Sequence, residues 1–139
     1  MRAPIFLTVT GILLVMLVVF WWLLTIGFGE SRYFRRCSLD YWLLVPDIIH
    51  HLPLDYCTGP ALYHSSAGDG PKPSTVTRYC YTSDPTAAIA HYQALLLERG
   101  YQGPERQIYD REYLYFHQDD RWLRLVAMPP DRFEITYLE

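Results

Sequence analysis

Cysteine is scarce, with 3 in 139 residues, too few for the dense disulfide scaffold that holds many small secreted domains together. Basic charge is scarce as well. Lys and Arg number 12 against 15 Asp and Glu, a formal net charge of -3, so the cationic excess that nucleic-acid binding requires is missing and nucleic acid is not an expected partner. Only 19% of residues are charged, while 50% are hydrophobic and 16% aromatic, which excludes a disordered composition. No glycine-rich phosphate loop, serine elbow or zinc-protease helix motif occurs.

The nearest approach to a metal set is His50 and His51 with Asp47 one helical turn before His51. Adjacent residues project about 100° apart on a helix and to opposite faces of a strand, so the two histidines do not converge on one ion, although Asp47 and His51 can. No third and fourth ligand stands at a recognisable spacing. His64, His91 and His117 are isolated, and Asp119-Asp120 before Arg121 reads as a hairpin turn rather than a carboxylate pair. The expectation is a non-enzymatic protein with no metal and no cofactor.

What the chain does have is an apolar run. From Ala3 to Gly29 there is no ionisable side chain, and Ile5–Phe28 is almost continuously Leu, Val, Ile, Phe and Trp. As a helix that run measures about 36 Å at about 1.5 Å per residue, enough to cross a hydrocarbon core of about 30 Å. A core helix apolar on every side would need more protein around it than this chain supplies. A cleaved signal peptide, for which Gly27 and Gly29 would suit the small positions, has an apolar region of only about 7–15 residues. The predicted element is therefore a single-pass transmembrane helix, a signal anchor, with Trp21 and Trp22 towards one headgroup region and no small-xxx-small pairing face around Gly11.

Two rules disagree on sidedness. Arg32, Arg35 and Arg36 come after the run and only Arg2 precedes it, which favours a cytoplasmic carboxyl domain. A first hydrophobic segment behind a short amino tail acts as a signal anchor and sends the carboxyl-terminal part of the chain outward, and the extracytoplasmic side is the reading adopted.

Beyond the anchor (residues 1–29), residues 30–54 read as a polar stem, Glu30 to Arg36, and a membrane-proximal arm, Leu39 to Leu54, broken by Pro46 and Pro53. The arm packs on the domain or lies on the membrane surface, with a short helix after Pro46 opened by Asp47. Residues 55–139 form the folded domain. Cys57–Ser65 and Thr75–Thr82 read as strands around the loop SSAGDGPKPS. Ser83 or Asp84 caps a helix that has Pro85 at its first turn, an inward stripe of Ala88, Ile89, Tyr92, Leu95 and Leu96, and Gly100 as its left-handed stop. Three alternating patterns come next: Ile108, Leu114 and Phe116; Leu123, Leu125 and Ala127; Phe133, Ile135 and Tyr137. The expected fold is α+β, two layers, β-β-α-β-β-β, an antiparallel sheet with one helix on a face.

The opposite parity carries Tyr109, Arg111, Tyr113, Tyr115 and His117, then Trp122, Arg124 and Val126. Tyr113, Tyr115, Trp122 and Arg124 are the candidate interaction face, because aromatic residues beside Arg are enriched at the energetic centres of interfaces. Cross-strand pairing in an ordinary half-exposed sheet accounts for the same residues, and that reading stays open. In an oxidising compartment Cys57 and Cys80 can join and close a loop worth about 3 kcal/mol. In a reducing one, all three cysteines are small hydrophobes. The expected function is a membrane-anchored accessory protein, the lipid bilayer and a membrane or envelope protein being its partners. The alternative is a tethered small-ligand-binding or sensory module, the ligand lying between the helix or the arm and the sheet.

Overall fold

A computed structural model describes residues 3–27, 31–66 and 74–139. The chain divides into two units, Met1–Glu30 and Ser31–Glu139. The first contains helix α1, Ala3–Gly27. Its side chains are described only from Thr8 to Leu24, about 26 Å of helix against a hydrocarbon core of about 30 Å, and among the described residues no helix is long and apolar enough to cross a membrane.

The second unit contains seven strands and three helices among its described residues: β1 Arg32–Arg35, α2 Leu39–Leu44, α3 Asp47–His50, β2 Leu62–Ser66, β3 Thr75–Tyr81, α4 Pro85–Glu98, β4 Gln102–Ile108, β5 Glu112–Gln118, β6 Arg121–Met128 and β7 Arg132–Leu138. All seven strands join one antiparallel sheet in the order β1-β2-β3-β7-β6-β5-β4. The α+β class and the antiparallel sheet are therefore as expected, but five strands become seven.

Both extra strands lie at the edges. β1 falls inside the segment read as a polar stem, because one buried residue, Phe34, between arginines makes no local pattern; its pairing is to Tyr63 on β2. Residues 31–54 thus belong to the same unit as the rest of the domain. β4 carries Gly103 and Pro104 and is almost wholly exposed, which edge position permits. Ile108 ends this strand and is 77% exposed, so it does not share the inward parity of Leu114 and Phe116. A register shift between Gln102 and Glu105, and the turn at residues 109–111, break the alternation.

The α4 region obeys local chemistry closely. The Asp84 carboxylate accepts from the Ala87 amide at 2.9 Å. At the other end Gly100 adopts φ +86°, and the amides of Tyr101 and Gly100 donate to the carbonyls of Leu96 and Leu97. Ala88, Tyr92 and Leu96 are buried against Leu123, Leu125, Phe133 and Ile135 on β6 and β7. The arm of α2 and α3 covers the same sheet face further along, burying Tyr41, Val45, Ile49 and Leu52.

Between the arm and the sheet sits Arg78, with none of its surface exposed. It donates to the carbonyls of Leu52 at 3.1 Å and Pro53 at 3.2 Å, and burial pulls its guanidinium below its ordinary pKa. Its strand neighbour Tyr63 is pushed up to about 12, again chiefly by burial.

Candidate interaction face

Alternation along each strand sends every second residue to the sheet face opposite α4, and the register aligns them. One row crosses the whole sheet: Tyr33, His64, Thr77, Thr136, Arg124, Tyr115, Glu105. A second holds Tyr79, Glu134, Val126 and Tyr113, and a third holds Leu138, Trp122 and His117. Tyr113, Tyr115, Trp122 and Arg124 therefore share one face on two adjacent strands. Tyr109 and Arg111 of the same parity lie in the turn before β5, and Val126 is buried.

Arg124 organises the centre. Its Nη2 donates to the Thr136 hydroxyl at 3.2 Å, and that oxygen lies 3.0 Å from the Thr77 hydroxyl. The guanidinium lies 5.4 Å from the Tyr113 ring centre, within cation–π range. Its Nε is buried and has no hydrogen-bond partner. Beside it, the His117 ring stacks on Trp122 with centres 4.8 Å apart, and His117 Nδ1 is likewise buried and unpartnered. Trp122 is 36% exposed. Tyr113 donates to Asp110 at 3.0 Å, and the carboxylate holding that proton raises the phenol above its ordinary pKa. Burial raises Glu134 above the usual carboxylate range, with Arg132 and Arg124 opposing.

Thr77, Tyr79, Glu134 and Thr136 join this face in addition to the expected residues. Outward alternation along residues 75–81 and 132–138 is the signal that could have found them. Chemically the face offers wide aromatic area around one half-buried guanidinium.

Cys57 and Cys80 are joined, with Cα atoms 5.1 Å apart, and Cys37 is unbonded and exposed. Cys37, Asp47, His50 and His51 line one cleft of about 490 Å³ together with Arg36, Tyr41 and Trp42. His51 Nδ1 donates to the Asp47 backbone carbonyl at 2.7 Å, which fixes the ring tautomer with Nε2 as its lone-pair nitrogen. Among the described residues no group of three or more His, Cys, Asp or Glu could hold a metal. A second cleft, about 330 Å³, lies between α4 and the sheet, lined by Ile89, Leu114, Leu125 and Ala127 with Thr86, Arg111 and Glu112.

Fold and face together define a two-layer α+β domain with one covered and one open sheet surface. No family model matches the chain, and no curated protein and no solved structure matches it.

Proposed function

We propose that this is a single-pass membrane-anchored, non-enzymatic accessory protein that docks its α+β domain, open sheet face first, on a membrane or envelope protein. The observation that carries the docking reading is the half-buried Arg124 set among aromatic rings, over Tyr113 and on the strand of Trp122, which is 36% exposed. Arginine beside large aromatic rings is the composition enriched at the energetic centres of interfaces, and a partner that excludes water from Trp122 and the tyrosines would draw on it. The anchor reading draws support from the 25-residue backbone length of α1, about 37 Å, and from the absence of ionisable side chains between Ala3 and Gly29. Anchoring confines the domain to a thin layer and raises its effective concentration for a membrane partner. The Cys57–Cys80 bond favours the extracytoplasmic side, against the three arginines at 32, 35 and 36.

A photo-crosslinking residue at position 115 tests docking in intact membranes. It is expected to give one discrete adduct, absent with the probe at Glu98 on α4 and lost when Trp122→Ala and Arg124→Ala are added. Equal adducts from both positions, or an adduct indifferent to those substitutions, would remove the sheet face from the proposal. A membrane-impermeant maleimide reports the side, since Cys37 is the one unbonded cysteine. Labelling in intact cells is expected; labelling only after lysis reverses the orientation.

The cleft between α4 and the sheet favours a second reading, a small apolar ligand seated on Leu114 and Leu125. Native mass spectrometry of the full chain would then show a bound species that Ile89→Trp expels.

A further inference from the structure

Helix α2 has six residues, and two of its faces do opposite things. Tyr41 is buried to 3% exposure and the Val45 side chain just past the helix to 6%. Leu39, Trp42 and Leu43, at i, i+3 and i+4, stand 63%, 66% and 57% exposed. Three large apolar side chains on two turns thus share one outward stripe that nothing among the described residues of this domain covers.

Charge accompanies the stripe. Asp40, the acid of α2, pairs with Arg32 at 3.9 Å, and Arg35 alternates with the buried Phe34 onto the open sheet face, so Arg36 is the cation left beside α2. Arg36 and Trp42 line the same cleft. Arg36 stands nine residues after Gly27, the last residue of α1. An apolar stripe with an arginine beside its indole is a pattern by which a helix rests in the headgroup region, with the indole at the boundary and the cation on an anionic phosphate. Three side chains are too few for a protein interface, which needs about 800 Å² from each partner, whereas a lipid surface needs only a few anchors.

We infer that Leu39, Trp42 and Leu43, with Arg36, form a membrane-surface contact that seats the domain on the headgroups of an anionic bilayer. The contact rests on the anchor reading of α1, which brings the stripe within reach of the lipid. It also divides the labour of the domain: α2 sets the orientation to the bilayer, and the open sheet face remains available to a protein partner.

The test uses the full chain with Trp21, Trp22 and Trp122 changed to Phe, so that Trp42 alone emits. The chain is reconstituted into vesicles of phosphatidylcholine with phosphatidylglycerol, with and without brominated acyl chains. Trp42 emission is expected to be blue-shifted and quenched at least twofold by the brominated lipid. Leu39→Glu with Leu43→Glu should abolish the quenching while the chain stays in the vesicles. Arg36→Gln, or vesicles of phosphatidylcholine alone, should weaken it. Unquenched, water-like emission from a chain that resists alkaline carbonate overturns the surface contact and leaves the anchor standing. A chain stripped from the vesicles by carbonate overturns the anchor, and the contact with it. Quenching that ignores both the glutamates and Arg36→Gln also overturns the contact.

Discussion

The guanidinium of Arg78 lies 5.3 Å from the centre of the Tyr92 ring, and both side chains donate to one atom, the carbonyl oxygen of Pro53. Tyr92 reaches it at 2.6 Å from α4 and Arg78 at 3.2 Å from β3. The arm of residues 39–54 is thereby tied to both layers of the domain through its backbone, whatever its side chains are.

Arg78→Ala should lower stability by about 2–4 kcal/mol, because it empties a filled site and leaves the Leu52 carbonyl without its donor and Pro53 with Tyr92 alone. Tyr92→Phe should cost only about 1 kcal/mol, since Pro53 retains Arg78. Denaturant midpoints of the full chain in micelles measure both. Equal losses from the two variants would mean that the guanidinium is not what holds the arm.

Joining Cys57 to Cys80 closes a loop across a sequence separation of 23. Replacing both by Ser should destabilise the domain by about 3 kcal/mol in the chain-entropy account. The parent chain should also migrate faster than the variant on non-reducing gels and together with it after reduction. Identical migration before reduction would exclude the bond and, with it, the strongest support for an extracytoplasmic domain.

Burial raises Tyr63 to about 12 and raises Tyr79, Tyr92 and Tyr101 as well. In the unfolded chain these phenols ionise near pH 10, so their contribution is complete below that pH and is lost as pH climbs through the raised native values. Stability should fall from about pH 10 upward, and Tyr63→Phe should flatten the decline. Glu134 obeys the same sign at lower pH. Its carboxyl is raised by burial, so its contribution is complete below about pH 4.3 and lost as pH rises through the native value. Glu134→Gln should remove that part of the pH dependence. A pH profile unaltered by either substitution would contradict the burial argument.

Gly103 adopts φ +136°, and a methyl group there would lie 2.7 Å from the Tyr115 carbonyl oxygen and 3.3 Å from the Phe116 Cα. Gly103→Ala should destabilise by about 2 kcal/mol and displace the backbone beneath Tyr115, weakening the crosslink from the open face. Loss of stability with an unchanged crosslink would separate the β4 edge from the recognition surface.

Legibility is highest where structure depends on neighbours in sequence. Helix α4 can be read from Asp84, Pro85 and Gly100 because caps act over three or four residues. The inward parities of Leu123, Leu125, Phe133 and Ile135 are equally plain, as is the candidate face at Tyr113, Tyr115, Trp122 and Arg124. Strand β1 is not, since its only apolar contribution to the core is Phe34 and its partner lies about thirty residues away. Arg78 carries no local signal, because an arginine in a strand looks like surface until two carbonyls from the arm are brought to it.

The amino-acid order by itself determined the α+β class, the antiparallel alternation, the boundaries of α4 and the apolar character of the first helix, all properties set by short-range sterics and hydrophobic period. Tertiary structure alone decided that β7 enters between β3 and β6, that the stem is a strand and the arm a lid over Arg78, and that Thr136 and Glu134 join Arg124 on one face. Those outcomes depend on which distant segments can bury each other while pairing most of the polar groups they bring along, and no local pattern encodes that choice.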